Sequence, residues 1–243
     1  PILYDYNRGC CDNICYSGVA DIFRLPKFSL SFFRTQIAEG SMLPSGKMPY
    51  EVFIPAYRDE ILSDTVMVYG NVDEVELVLN GKTIRRQTAD KGPDSDYIPV
   101  PNGGNGKNLH FPPFTFYGVP KERGVLKAVG YHQGKKVAEY TVKTPGVPER
   151  LDITYFESGK PATKNDLLIV YVRMLDKQGV LCPVNGIPVE LSVQGGEIVG
   201  PTSYPLETGV ASFLVRTGEI SKININATGK GFSTRKSLKV GKE

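Results

Sequence analysis

The side chains in this 243-residue sequence best suited to hold a metal ion or act as nucleophiles are four cysteines and two histidines. Cys10, Cys11 and Cys15 are close together, whereas Cys182, His110 and His132 are far off in sequence. Zinc sites draw on ligand pairs at short fixed spacing of the C-x2-C kind, and none occurs, so neither a metal site nor a cofactor is expected. The vicinal Cys10-Cys11 pair would strain a disulfide. Small buried thiols in a tight loop are the expected role. Hydrolytic signatures are missing too, since there is no G-x-S-x-G elbow, H-E-x-x-H helix or Walker loop. The run Asn102 to Gly106 is glycine-rich, but no helix follows whose N-terminus could hold a phosphate, so it reads as a loop. Asn226-Ala-Thr228 matches a glycosylation sequon inside a run that reads as a strand. Aromatic rings could stack on a pyranose face instead: Tyr97, Phe111, Phe114, Phe116 and Tyr117 are the candidates for a carbohydrate-binding sandwich. Phe114 and Phe116 share one strand face and are expected in the core. The lack of any Trp, the largest stacking surface, also counts against a platform.

These residues sit on three zones. Residues 1–46 hold one helical pattern, residues 47–145 are strand-rich, and residues 146–243 are strand-rich again. The breaks are a Gly/Ser/Pro stretch from Gly40 to Pro49 and Thr144-Pro-Gly-Val-Pro-Glu149, which can continue neither a helix nor a ladder. In the first zone Pro26 suits the opening turn of a helix of about eleven residues. Phe28, Phe32 and Phe33 give it one aromatic face, with Lys27 and Arg34 turned to water. So short a helix is marginal alone, so that face must dock on something. In the second zone Val75, Leu77 and Leu79 alternate with Glu74 and Glu76, which marks a half-buried strand. Asn80-Gly81 then supplies a type I′ hairpin turn leading to a return strand at Thr83 to Arg86. Val125 to Tyr131 and Lys136 to Val142 flank a second hairpin, and Asp90 to Asn108 reads as a long loop. The third zone holds six short strand patterns, the clearest being Ile223, Ile225 and Ala227 against Lys222, Asn224 and Asn226. This spacing of strands and turns fits antiparallel sandwiches of immunoglobulin-like size, without the Cys and Trp brace of antibody domains.

Composition sets the outer bounds. A hydrophobic share of 40% against 23% charged is globular. The net charge of +3 is spread along the chain with no basic stripe, so nucleic acid is not an expected partner. Apolar runs are only a few residues, too short for a membrane-spanning helix. No basic and apolar leader opens the sequence, which is expected to be part of something longer.

The stretches Asp5-Tyr-Asn-Arg-Gly-Cys10 and Tyr16 to Phe28, with Phe23-Arg-Leu-Pro-Lys27 inside the latter, resemble the end of the (β/α)8 barrel in bacterial glycoside hydrolases of family 2, the β-galactosidase family. The runs Asp73 to Lys82, Phe111 to Phe116 and Gly124 to Tyr131 resemble the immunoglobulin-like domain that follows that barrel. Leu175 to Gly179 and Pro188 to Leu191 resemble a bacterial Ig-like domain of the invasin type. The resemblance implies a mainly β chain: two tandem immunoglobulin-like antiparallel β-sandwiches preceded by a short helical remnant of a (β/α)8 barrel. It implies that the catalytic glutamate pair of a retaining glycosidase lies upstream of Pro1, so no residue here is expected to be catalytic. It also implies the barrel of the same enzyme as partner, oligo- or polysaccharide as a second, and an extracytoplasmic bacterial location. The loop after the last barrel strand would place Asp5, Tyr6, Asn7 and Arg8 on the side where barrels bind substrate, as candidate carbohydrate-binding residues. The competing role is an Asp5 to Arg8 ion pair that braces the loop. An adhesive or purely structural Ig array is the remaining alternative function.

Overall fold

A computed structural model of the chain describes residues 2–7, 13–59, 63–90, 109–156 and 158–241. The chain forms two compact units, Pro1–Thr144 and Pro145–Glu243. In the first, β1 (Ile2–Tyr4), β2 (Tyr6–Asn7), β3 (Ile14–Cys15) and β4 (Gly18–Ala20) precede the helix α1 (Phe28–Thr35). There follow β5 (Met42–Leu43), β6 (Gly46–Lys47), β7 (Val52–Phe53), β8 (Val66–Gly70), β9 (Glu74–Leu79), β10 (Lys82–Thr88), β11 (Phe114–Phe116), β12 (Val125–His132) and β13 (Lys135–Lys143).

Two antiparallel sheets, ordered β10-β9-β12-β13 and β11-β8-β7, enclose the core of this unit. The alternation read along β9 is what closes it. Val75, Leu77 and Leu79 are at most 3% exposed, while Glu74 and Glu76 face outward. Phe114 and Phe116 are core residues, as expected from their shared strand. Each hairpin turns on two consecutive residues with positive φ, Asn80 (51°) and Gly81 (81°), then Gln133 (49°) and Gly134 (75°), which is the type I′ geometry that matches strand twist. Tyr97, the glycine-rich run and nearly all of the expected Asp90 to Asn108 loop lie outside the described residues, as do Arg8, Cys10 and Cys11.

The helix is shorter than its pattern suggests, and Pro26 stands before it instead of in its first turn. Lys27 is the extended N-cap residue (φ −86°, ψ 164°), because its amide donates to the Val19 carbonyl (2.9 Å) and Pro26 bridges Ala20. Two rings of the expected aromatic face dock within the same unit, while Phe33, 40% exposed, touches only Phe32 of its own helix among the ring contacts of the described residues. Phe28 lies against Phe53 and Tyr57 (5.7 and 4.9 Å between ring centroids), and Phe32 against Tyr69 (5.0 Å). Two amides fasten the segment further. The Asn71 side chain donates to the carbonyls of Ile37 and Pro49 (3.0 Å each) and accepts from the Glu51 amide (2.6 Å). Gln36 both donates to and accepts from the backbone of Phe111 (2.9 and 3.1 Å). Buried polar groups are tolerated when satisfied in this way, and each such bond contributes roughly 0.5–1.5 kcal/mol.

The second unit comprises β14 (Pro148–Tyr155), β15 (Leu167–Asp176), β16 (Pro188–Gln194), β17 (Gly196–Ile198), β18 (Ser203–Pro205), β19 (Val210–Thr217), β20 (Lys222–Gly229) and β21 (Phe232–Lys239). Its sheets run β14-β15-β19-β17 and β18-β16-β20-β21, all pairings antiparallel. Ile223, Ile225 and Ala227 are inside, at most 1% exposed, and pack with Phe213, Met174 and Val189. The six strand patterns of the sequence recur with ends moved by a few residues. The three-residue strands β17 and β18 have no such signal, since so short a run shows no alternation. Asp176 ends β15 with a buried carboxylate that accepts the backbone N–H groups of Gly146 (2.7 Å), Gln178 (2.8 Å) and Val180 (2.8 Å). Cys182 is buried beside it, and burial pushes its thiol above the usual range. At the sheet margins, β10 carries Lys82, Arg85 and Arg86, β13 carries Lys135, Lys136 and Lys143, and β21 carries Arg235, Lys236 and Lys239. β14 starts on Pro148 and β18 ends on Pro205. Among the described residues, no helix is long and apolar enough to cross a membrane.

Candidate functional site

The loop expected to touch sugar starts where β1 ends. β1 runs parallel to β4, with Ile2 opposite Gly18 and Tyr4 opposite Ala20. Parallel strands are normally covered on both faces and continue into further strands. Here Ile2, Leu3 and Tyr4 are 45%, 56% and 40% exposed, and Tyr16, Ile22 and Met42 add to the open apolar surface. Gly18 is required by the close approach of the two strands. A Cβ there would lie 2.2 Å from the Asp5 nitrogen and 2.3 Å from the Tyr4 carbonyl carbon. Gly18→Ala is expected to push the strands apart at a cost of about 1–3 kcal/mol. Faster amide exchange at Asp5, whose N–H donates to Ala20 (2.9 Å), would report it.

Asp5 is buried, with its side chain 3% exposed. Its Oδ1 accepts the Gly18 N–H (2.8 Å) and a Lys27 Nζ proton (2.7 Å). The same ammonium donates to the Tyr16 carbonyl (3.0 Å), so Lys27 ties together both ends of the loop from Asp5 to Ser17. Lys27, expected to face water, is therefore the partner of Asp5, while Arg8, the partner considered from sequence, is outside the described residues. Tyr6 is half-buried in the β2-β3 ladder opposite Cys15, and Asn7 is exposed opposite Ile14. Nearby Asp21 accepts the Leu25 N–H (2.8 Å), and burial pushes its carboxyl above the usual range. Among the described residues no three His, Cys, Asp or Glu side chains are placed to hold a metal ion.

A second site joins residues distant in sequence. Between α1, β7 and β13 runs a cleft of about 350 Å³ lined by Ser31, Arg34, Tyr50, Glu51, Phe53 and Tyr140, among others. Arg34, also expected to face water, makes a two-point pair with Glu51 through Nε (3.1 Å) and Nη2. That pair holds the guanidinium above its ordinary pKa range. Phe53 packs edge-on against Tyr140 (5.1 Å), and burial pushes the Tyr57 and Tyr140 hydroxyls upward, so both stay neutral donors. No periodicity could have assembled this cleft, whose walls come from three segments spread over a hundred positions. The one available signal is that Arg34 and Glu51 flank the linker from Gly40 to Pro49.

The outer face of the β10-β9-β12-β13 sheet carries a polar cluster. Glu76 accepts the hydroxyls of Thr83 (2.6 Å) and Tyr131 (2.7 Å), in that order the causes that hold its carboxyl below the usual range. Arg86 lies over the Tyr131 ring at 3.7 Å and pairs with Glu74 (2.5 Å). Every group in the cluster has a partner, so it reads as sheet bracing.

Comparison with known proteins gives this chain a context. A domain of unknown function (DUF4982) matches residues 63–138. A β-galactosidase of Thermoanaerobacter pseudethanolicus is 32% identical over 230 residues, 88% of this chain and 29% of that protein. A β-galactosidase of Rhizobium radiobacter is 30% identical over 129 residues, 52% of this chain and 92% of that sequence. Among solved structures, a β-glucuronidase from glycoside hydrolase family 2 superposes with a TM-score of 0.78 at 21% identity, covering 99% of this chain and 25% of that one. The chain thus spans less than a third of the length of the Thermoanaerobacter relative.

Proposed function

Because the chain belongs to glycoside hydrolase family 2, as part of the C-terminal region of such an enzyme, we propose that it is a non-catalytic accessory region that completes and steadies a (β/α)8 barrel. The complete enzyme then hydrolyses β-glycosidic bonds, with an aryl β-galactoside as the first substrate to try. The observation that carries this reading is the β1-β4 pair: two short parallel strands, of which β4 is buried while β1 leaves its apolar side chains open, unlike the antiparallel sheets beside them. Residues 1–46 would be the end of the barrel, 47–145 an Ig-like sandwich and 146–243 an invasin-type Ig-like sandwich. Barrels bind substrate past the C-terminal ends of their strands, and Tyr6 and Asn7 follow β1 in the chain, which supports such a role for them. Together with Arg8 they are the residues we assign to sugar contact. Asp5 is engaged by Lys27 and serves to hold their loop. The family resemblance supports an extracytoplasmic bacterial setting for the enzyme.

The test is co-expression of this chain with the barrel domain of its own polypeptide. Hydrolysis of an aryl β-galactoside is expected only when both are present, with new exchange protection at Ile2 to Tyr4. Hydrolysis by the purified 243-residue chain alone would overturn the reading, as would a barrel whose activity and melting temperature ignore this chain.

A further inference from the structure

We propose that the cleft between α1, β7 and β13 is a binding site for a neutral saccharide, seated with the apolar face of one pyranose ring on Tyr140. The inference uses residues of the first unit alone, and Ser31 and Arg34 among them lie on the segment read above as the end of the barrel. Three observations define the ligand. The first is size: about 350 Å³ falls at the lower end of the range of roughly 300–1,000 Å³ typical of small-molecule sites, enough for one or two sugar rings. The second is the floor. Tyr140 is 36% exposed, and its ring meets Phe53 edge to face at 5.1 Å, Phe53 itself packing on Phe28 at 5.7 Å. A partly exposed ring that is fixed by a neighbour loses little entropy when a flat apolar surface lies on it.

The third observation is charge. Each charged side chain of the lining already has a counter-charge: Arg34 pairs with Glu51, and Glu139 pairs with Lys136 (2.6 Å) and Lys127 (3.8 Å) on its own sheet. No lining charge is left without a partner to single out an anion or a cation. What remains is hydrogen-bonding capacity: the second Nη of Arg34, which the Glu51 pair leaves unused, the further lone pairs of the two carboxylates, and the hydroxyls of Ser31, Tyr50 and Tyr140. Planar donors beside planar acceptors match vicinal hydroxyls, each of which both donates and accepts. A neutral polyol with one apolar face is the chemistry that uses all three features.

The experiment is saturation-transfer difference NMR on the full 243-residue chain, with methyl β-galactopyranoside and lactose as neutral probes and glucuronate as the anionic one. Neutral sugars are expected to show transfer to their ring protons, and glucuronate much less. Tyr140→Ala should weaken binding roughly tenfold or more, whereas Tyr140→Phe, which keeps the ring, should weaken it no more than about threefold, as for one lost hydrogen bond. Ser31→Ala, a surface change on the helix, should cost a similar small factor, and Tyr204→Ala in the second unit should change nothing. No transfer from either neutral sugar at tens of millimolar would overturn the proposal. So would undiminished binding in Tyr140→Ala, equal losses in the Ala and Phe variants, or glucuronate binding as well as the neutral probes.

Discussion

Asp176→Ala is expected to lower the stability of the second unit by about 3–5 kcal/mol, the largest effect of any single polar change in this chain. The substitution leaves three backbone N–H groups, those of Gly146, Gln178 and Val180, without their acceptor at a buried site. Each unsatisfied buried donor costs roughly 1–3 kcal/mol, and bonds to an ionised acceptor lie at the strong end. Urea unfolding of residues 145–243 within the whole chain would measure it, and a loss below about 1 kcal/mol would show that the turn rebuilds around the gap. The effect carries a pH signature. The same N–H groups, Gly146 first, hold the Asp176 carboxyl below its usual range in the folded chain. Its contribution is therefore complete above the unfolded carboxyl pKa of about 3.9 and fades as pH falls through the lower folded value. Asp176→Asn, which cannot titrate, should be less stable than the wild type at neutral pH, and the gap should close on acidification. A gap that widened with acid would contradict this linkage.

Lys27→Met is the second large effect, and it bears on the loop. Removing the ammonium leaves the nearly inaccessible Asp5 carboxylate with the Gly18 amide as its remaining side-chain partner named above. Loss of one member of a buried pair commonly costs about 3–5 kcal/mol. Because Lys27 itself is 34% exposed and water can reach the gap, about 2–3 kcal/mol is expected here. The change should appear locally, as early protease cleavage near Tyr16 and lost protection of the Asp5 and Lys27 amides, while urea unfolding of the second unit stays as it was. Asp5→Asn combined with Lys27→Met should recover part of the loss, since an amide needs no counter-charge. Equal loss in the single and double variants would mean that Lys27 acts through packing of its stem.

The contrast between these two residues shows what the sequence could and could not reveal. Asn80-Gly81 and the alternation of Val75, Leu77 and Leu79 are local signals, and the hairpin they specify is the one that forms. Phe28 and Phe32 were legible as a docking face because helical spacing repeats within one turn. Lys27 was not: seen from the helix alone it belongs to solvent, and only the return of β4 alongside β1 brings a carboxylate from 22 positions away to its ammonium. Arg34 does reach water, its side chain 41% exposed, but its partner could not be read, since Glu51 lies beyond a linker whose path no periodicity fixes. The cleft is the extreme case, because Ser31 and Tyr140 become neighbours only after the sheets have closed.

The basic and proline-bearing margins of the two sandwiches have a consequence for the chain in a crowded cell. A β-sheet ends in unused backbone donors and acceptors, an open invitation to any other extended chain. Here β10, β13 and β21 each present lysine or arginine side chains to such a visitor, so a second copy arriving strand to strand would meet like charge. Pro148 and Pro205 blunt two further edges, β14 and β18, by withholding a donor. The excess of basic over acidic residues, which suggests no anionic partner, thus acts as insulation. Edges guarded in this way let the sheets stay open without being sealed into barrels.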